Sequence, residues 1–244
     1  VILFTIYPPP SMALSPQPTD SSAFRPAALV PAYRCGASVG PVVHGLLRHV
    51  AHVLVVDDGS DDGTGDEARS AGARVLVRER NGGKGTALRD GLALLLAEPW
   101  SHVAFVDGDG QHDPEDLPGL LEAARGGADV VIGSRLKSTQ SMPAKNYWAN
   151  TIGDKVLQRM TGLPIEDGQS GYRVIESRLL RRLRLTARRY AIENEILIKA
   201  APYVRRFATV PVQTIYTGTT HYRPFRDTWA TSWLSVWFKT LGSD

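Results

Sequence analysis

From residue 27 onward, short apolar runs rich in β-branched residues alternate with segments of helical periodicity. This alternation constrains the fold more than any other feature of the chain. The apolar runs cover residues 27–31, 52–57, 73–78, 101–107 and 128–133, and the helical segments cover 39–50, 64–71, 84–97 and 115–125. Such a rhythm builds βαβ units, hence an α/β fold with a mainly parallel sheet and helices on both faces. Residues 147–161 and 192–201 read as further helices, a basic helix is expected around 176–184, and 204–212 alternate like an edge or hairpin strand. No internal repeat is visible. Open sheets of this kind bind ligands beyond the carboxyl ends of their strands. Three polar clusters fall at such ends: Asp57-Asp58-Gly59-Ser60, the NGGKGT run from Asn81 to Thr86, and Asp107-Gly108-Asp109. They are expected to converge in space.

The stretch VAFVDGDGQHDPED is the most informative of these. Asp107, Asp109, Asp113, Glu115 and Asp116 crowd the end of one apolar run, where like charges raise each other's pKa unless a cation or hydrogen bonds compensate. Asp113-Pro114 is a helix start, with Glu115 and Asp116 favouring the dipole of the first turn. Asp107 and Asp109 are hard oxygen ligands that select Mg2+ or Mn2+ shared with substrate phosphates, and Gln111 offers a further oxygen. An EF-hand is excluded, because His112 and Pro118 occupy the positions of its glycine and glutamate. A haloacid-dehalogenase-like phosphotransferase shares the strand–Asp–x–Asp start and stands as a rival, although Gln111 departs from its pattern.

The remaining signals are weaker alone. Asp57 and Asp58 can accept from base N–H groups or ribose hydroxyls, or simply form an Asx turn. NGGKGT is not a Walker A loop, since Gly85 separates Lys84 from Thr86, but a glycine-rich helix start with one lysine suits an anion. Arg135 ends another apolar run and points to the same crevice. Lys145, Arg173, Arg223 and Arg226 are placed in loops of the second half, where cations suit phosphate oxygens. The run Arg178, Arg181, Arg182, Arg184, Arg188 and Arg189 reads as a solvated helix face, or as a contact for anionic headgroups. Trp229, Trp233 and Trp237 form one helical stripe, for core packing or for a membrane interface.

The 244 residues suit one large domain with an appendage. One cysteine, Cys35, excludes an intramolecular disulfide framework and fits a reducing compartment. A pI near 9.1 favours anionic partners such as nucleotides, phosphates or an acidic membrane face, and no nucleic-acid partner is expected. No apolar run approaches the ~20 residues that span a bilayer. Residues 1–24 read as a disordered tail, with Met12 as the expected natural start, 25–218 as the globular domain, and 219–244 as a loop and tryptophan-rich amphipathic helix.

The ordered series ALVPAY, VVDDGSDDGT, NGGKGTAL, VDGDGQHDPED, VIGSR, DGQSGYR and HYRPFRDT resembles a family-2 glycosyltransferase of the GT-A fold, and within it the dolichyl- or polyprenyl-phosphate mannose and glucose synthases. The resemblance implies that Pro31, Tyr33, Asp57, Asp58 and Lys84 hold the base and ribose of a nucleotide diphosphate sugar, with Asp107 beside them. It implies a DxD motif at Asp107 and Asp109, a metal set completed by Gln111, and Arg135 near phosphate; Glu193 and Glu195 match an acid-rich helix start without an assigned role. Relatives continue Pro-x-Tyr with Asn-Glu, whereas here Arg34, Cys35 and Gly36 follow, which leaves the donor open. The expected activity is inverting transfer of a hexose, with Mg2+ or Mn2+, to a polyprenyl phosphate steered by Arg135, Lys145, Arg173, Arg223 and Arg226. A soluble hydroxyl acceptor would instead need a general base, for which Asp167 is the candidate, giving a catalytic set of Asp109, Arg135 and Asp167. A non-catalytic nucleotide-sugar binder is the remaining alternative. The expected location is the cytoplasm, including its membrane face as a peripheral protein.

Overall fold

The computed structural model describes residues 24–135, 144–189, 191–213 and 215. The two expected terminal appendages, Arg223, Arg226, the tryptophan stripe and the Lys145 side chain lie outside the described residues. Seven strands form one sheet: β1 (Pro26–Ala32), β2 (Val53–Asp57), β3 (Arg74–Val77), β4 (His102–Phe105), β5 (Val130–Ser134), β6 (Arg173–Glu176) and β7 (Phe207–Pro211). The helices are α1 (Val39–Leu47), α2 (Thr64–Ser70), α3 (Lys84–Leu95), α4 (Leu117–Arg125), α5 (Ala144–Thr161), α6 (Ser177–Leu180) and α7 (Ala191–Ala200).

The sheet order is β3-β2-β1-β4-β6-β5-β7. Every pairing is parallel except those of β6, which runs antiparallel to both β4 and β5. The first half therefore follows the expected βαβ rhythm, and its apolar runs are nearly continuous because both faces of the strands are covered. Alternate strand residues divide cleanly between two cores. Ala28, Val30, Val53, Val55, Ala104, Val131 and Val174 pack under α1, α2 and α4. Ala27, Leu29, Leu54, Val56, Val103, Phe105, Val130, Ile132 and Ile175 pack with Leu88, Leu92, Leu157, Ile192 and Ile196 of α3, α5 and α7. At about 1.5–3 kcal/mol per fully buried large side chain, these layers are the main source of stability.

The second half departs from expectation in one place and meets it in another. The basic helix around 176–184 is only the four residues of α6. Its arginines find separate partners instead of one solvated face: Arg178 pairs with Glu176 and Asp129, and Arg181 donates to the carbonyls of Leu96 and Glu98 just after α3. The expected edge or hairpin strand is β7, an edge strand whose neighbour is the parallel β5. Among the described residues, no helix is long and apolar enough to cross a membrane.

Candidate active site

The chain order reverses beside β1: the β1–β2–β3 arm runs one way and β4 leaves on the other side. At such a switch point the carboxyl ends of neighbouring strands splay and leave a crevice. Beyond β4 the backbone stays alongside β1, with Val106 N–H donating to Leu29 and Gly108 N–H donating to the Pro31 carbonyl at 3.3 Å. This holds Asp107 next to Pro31 at the mouth of the crevice.

The three polar clusters come together by direct contacts. Asp58 is buried, accepts from the Gly82 and Gly83 N–H groups at 3.0 and 2.7 Å, and pairs with Arg78. Its carboxylate fixes the NGGKGT loop and is spent there. Asp57 accepts from the Ser60 N–H at 3.0 Å, closing the turn that ends β2. The loop in turn places Lys84 at the first residue of α3, and its ammonium sits between Asp107 Oδ1 at 2.6 Å and Glu193 Oε1 at 2.5 Å. The resemblance put Lys84 with base and ribose, and in the structure its ammonium rests against the Asp107 carboxylate. Tyr33 is exposed at the rim, beneath the guanidinium of Arg34, which chelates Asp61 at 2.8–2.9 Å.

Asp107 and Asp109 differ in environment. Burial disfavours the Asp107 carboxylate, but Lys84 and His112 outweigh it and hold the group below the usual carboxylate range. Among the described residues Asp109 receives the Gln111 backbone N–H alone, at 3.0 Å, and burial together with the charge of Asp107 pushes its carboxyl up. A half-buried carboxylate of that kind fits a cation. Among the described residues no three His, Cys, Asp or Glu side chains form a complete metal cage. Two carboxylates, with the other positions left to phosphate oxygens and water, is the usual donor set for Mg2+ and its neighbours. The chain therefore fits a divalent ion that is shared with a phosphorylated ligand.

Arg135 follows β5 and is locked to Asp167. The Arg135 backbone N–H and Nε donate to Asp167 Oδ2 at 2.9 and 2.8 Å, and Nη2 donates to Oδ1 at 2.7 Å. Burial favours a neutral Asp167, but the hydrogen bond and charge of Arg135 prevail and keep the carboxyl below its ordinary range. Asp167 is itself held by α5: its own N–H and that of Gly168 donate to Asp154 at 2.9 and 2.8 Å. A carboxylate so engaged is a poor general base.

Arg173 differs from its expected place in a loop. It lies on β6, buried, with Nε, Nη1 and Nη2 donating to the carbonyls of Ser170, Glu193 and Gly168 at 2.6–2.7 Å. It props the loop 168–171 and the start of α7 rather than facing an acceptor. Three acids that sequence reasoning left without a role are prominent: Glu193 on Lys84, Asp154 under Asp167, and Glu195. Glu195, fully buried, accepts from the N–H groups of Thr186 and Ala187 and pairs with Lys199. The signal for the two glutamates was available in IENEILIKAA, since acids inside an otherwise apolar helix need internal partners.

The sheet and its acid-lined switch point define a GT-A glycosyltransferase fold, and solved structures share it. The chain is similar to glucosyl-3-phosphoglycerate synthase from Mycobacterium tuberculosis in complex with Mn2+ and uridine-diphosphate-glucose, with a TM-score of 0.64, 24% identity and coverage of 88% of this chain and 78% of that one. The sequence profile described as Glycosyl transferase family 2 matches residues 27–184. The chain is 34% identical over 198 residues to an undecaprenyl-phosphate mannosyltransferase of Micrococcus luteus, covering 75% of this chain and 81% of that protein. It is also 32% identical over 184 residues to a polyprenol monophosphomannose synthase of Mycolicibacterium smegmatis, covering 69% of each. The chain belongs to glycosyl transferase family 2 and is a glycosyltransferase. The haloacid-dehalogenase-like and non-catalytic readings are thereby set aside.

Proposed function

We propose that the protein transfers a hexose from a nucleotide diphosphate sugar to a polyprenyl phosphate, with inversion and with Mg2+ or Mn2+. The observation that carries this reading is the engagement of Asp167 by Arg135. A hydroxyl acceptor must lose a proton to a base. Among the described residues at the crevice, Asp167 is committed to Arg135, Glu193 and Asp107 to Lys84, and Asp154 to two backbone N–H groups, and Asp109 is reserved in this reading for the divalent ion. A phosphate acceptor arrives ionised and needs none. The named relatives, which act on undecaprenyl phosphate and polyprenol, point the same way.

Asp107 and Asp109 would hold the divalent ion, with Gln111 beside them. When bound, the ion supplies positive charge against the diphosphate as it departs, which lowers the barrier more than it lowers the ground state. An acceptor phosphate oxygen bonds to the anomeric carbon, the carbon–oxygen bond to the diphosphate breaks, and no proton moves. Arg135, oriented by Asp167, steers the acceptor phosphate at the carboxyl end of β5. Pro31, Tyr33, Asp57 and Asp58 line or shape the nucleotide end, with Asp58 acting through the NGGKGT loop. Lys145, Arg223 and Arg226 would add cations for the lipid phosphate, and the tryptophan stripe would seat the protein on a membrane.

The test is incubation of radiolabelled sugar nucleotides with polyprenyl phosphate in detergent, with Mg2+ or Mn2+, beside an Asp109→Ala control. Label entering the organic phase in the parent protein alone is the expected result. Metal-dependent donor hydrolysis with no lipid product would replace the acceptor by a soluble one.

A further inference from the structure

The bridge made by Lys84 goes beyond a role in nucleotide binding. Its ammonium touches one oxygen of Asp107 at 2.6 Å and an oxygen of Glu193, in the first turn of α7, at 2.5 Å. The contact is sheltered: Lys84, Asp107 and Glu193 share a pocket walled by Pro31, Leu88, Phe105, Ile175 and Ile196. Burial opposes the charge, yet the two carboxylates hold the ammonium protonated, above the usual lysine range. Nothing apolar in that pocket can receive the charge, so an ammonium leaving Asp107 has Glu193 as its seat. The approach is also kept open by Gly171, where a Cβ would lie 2.5 Å from Asp107 Oδ2 and 3.0 Å from Lys84 Nζ. Glu193 thus holds Lys84 within reach of Asp107 without depending on Asp107.

We propose that Lys84 is a resident counter-ion that a divalent metal must displace: its ammonium occupies an Asp107 oxygen needed by the metal, and metal loading transfers it wholly to Glu193. This rests on the metal-dependent reading above. Lys84 is then a positioning residue that tunes how tightly the DxD pair takes up metal. Before the exchange Lys84 compensates Asp107 and Glu193, and after it the ion faces Asp107 while Lys84 keeps Glu193, so those two carboxylates are never bare together, which would be costly in a buried setting. The arrangement also favours metal arriving with a diphosphate, whose negative charge offsets that of the incoming ion.

The test is Mn2+ titration followed by electron paramagnetic resonance, alone and with a panel of nucleoside diphosphates, on the parent, Lys84→Met, Glu193→Gln and the double variant. Lys84→Met is expected to tighten Mn2+ binding about ten-fold or more, and Glu193→Gln to weaken it several-fold. The double variant decides between displacement and a distant field. It removes one positive and one negative charge, so the net charge of the pair is that of the parent, and it leaves one stranded carboxylate, Asp107, where Lys84→Met leaves two. Tighter Mn2+ binding by the double variant than by the parent supports displacement. Equal or weaker binding overturns it while leaving metal dependence intact. Mn2+ uptake by none of the four proteins, with or without nucleotide, rejects metal dependence itself and this inference with it.

Discussion

Replacing Asp167 by Asn separates the two roles that its position allows. The side chain keeps its shape, and Asn tolerates the left-handed backbone at this residue, φ +57°. What disappears is the charge facing Arg135, together with the bidentate geometry of Nε and Nη2. Stranding one member of a buried ion pair costs about 3–5 kcal/mol. The Arg135 side chain is 21% exposed, so water recovers part of its solvation, and the Asn carbonyl still accepts one N–H. A loss of about 2–3 kcal/mol follows, or about 4–12 °C in Tm for a chain of this size. Because the folded carboxyl is held below its unfolded value, this stability is present above the ordinary aspartate pKa and fades as pH falls through the folded one. The gap between parent and variant is therefore full at pH 7 and narrows below about pH 4. Differential scanning calorimetry across this range measures it. In parallel, the pH profile of kcat/KM should keep its acid limb in place while its height drops, since Asp167 orients Arg135 and takes no proton. An unchanged Tm at pH 7, or an acid limb that vanishes in the variant, would refute the argument and restore Asp167 as a base.

Three further outcomes follow from contacts already described. Burial lifts the Asp154 carboxyl to about 6 despite its two backbone hydrogen bonds, so native stability should decline as pH rises from about 4 through 6; Asp154→Asn should flatten that slope, by up to about 3 kcal/mol in urea melts at successive pH values. A Cβ on Gly85 would lie 2.6 Å from the Ala187 carbonyl and 2.8 Å from that of Arg189, so Gly85→Ala should cost about 1–3 kcal/mol in urea melts and lower kcat/KM by shifting the start of α3. Glu195→Gln breaks the pair with Lys199 and weakens the hold on the Thr186 and Ala187 N–H groups; faster amide hydrogen exchange confined to residues 184–189 is expected, and global loss of protection would contradict it.

The first half of the fold was legible because its signals are local. Each buried strand from β1 to β5 is an apolar run, and each helix carries its own periodicity, so boundaries fell within a few residues of the observed ones. The DxD acids and Arg135 were legible for a related reason: they stand at strand ends, where an α/β sheet puts its chemistry. What failed to show was pairing over distance. RVIE gives no sign that β6 will insert between β4 and β5. The arginines after it looked like one helix face because their separate partners, Asp129 and the carbonyls near Leu96, lie 49 to 85 residues away. Asp58 could equally have met a ribose or its own chain, and only three-dimensional contact with Gly82 and Gly83 tells which. Glu193 was noted only through the family resemblance and without a role, since its partner Lys84 is 109 residues distant.

The antiparallel insertion of β6 has a consequence for synthesis. A ribosome delivers β1 to β5 first, yet β5 has no neighbour in the first half of the chain, since β6 and β7 flank it on either side. The same late segments bring Asp167 to Arg135 and Glu193 to Lys84. A nascent chain can thus assemble the β3-β2-β1-β4 arm early, whereas an exposed β4 edge and an orphan β5 wait for more than forty residues before the sheet closes. Non-local closure of this kind is slow and leaves unpaired edges open to aggregation. Asp107 and Asp109, already in place on the early arm, acquire the Lys84–Glu193 bridge only when α7 docks, so assembly of the crevice waits on segments made after β6.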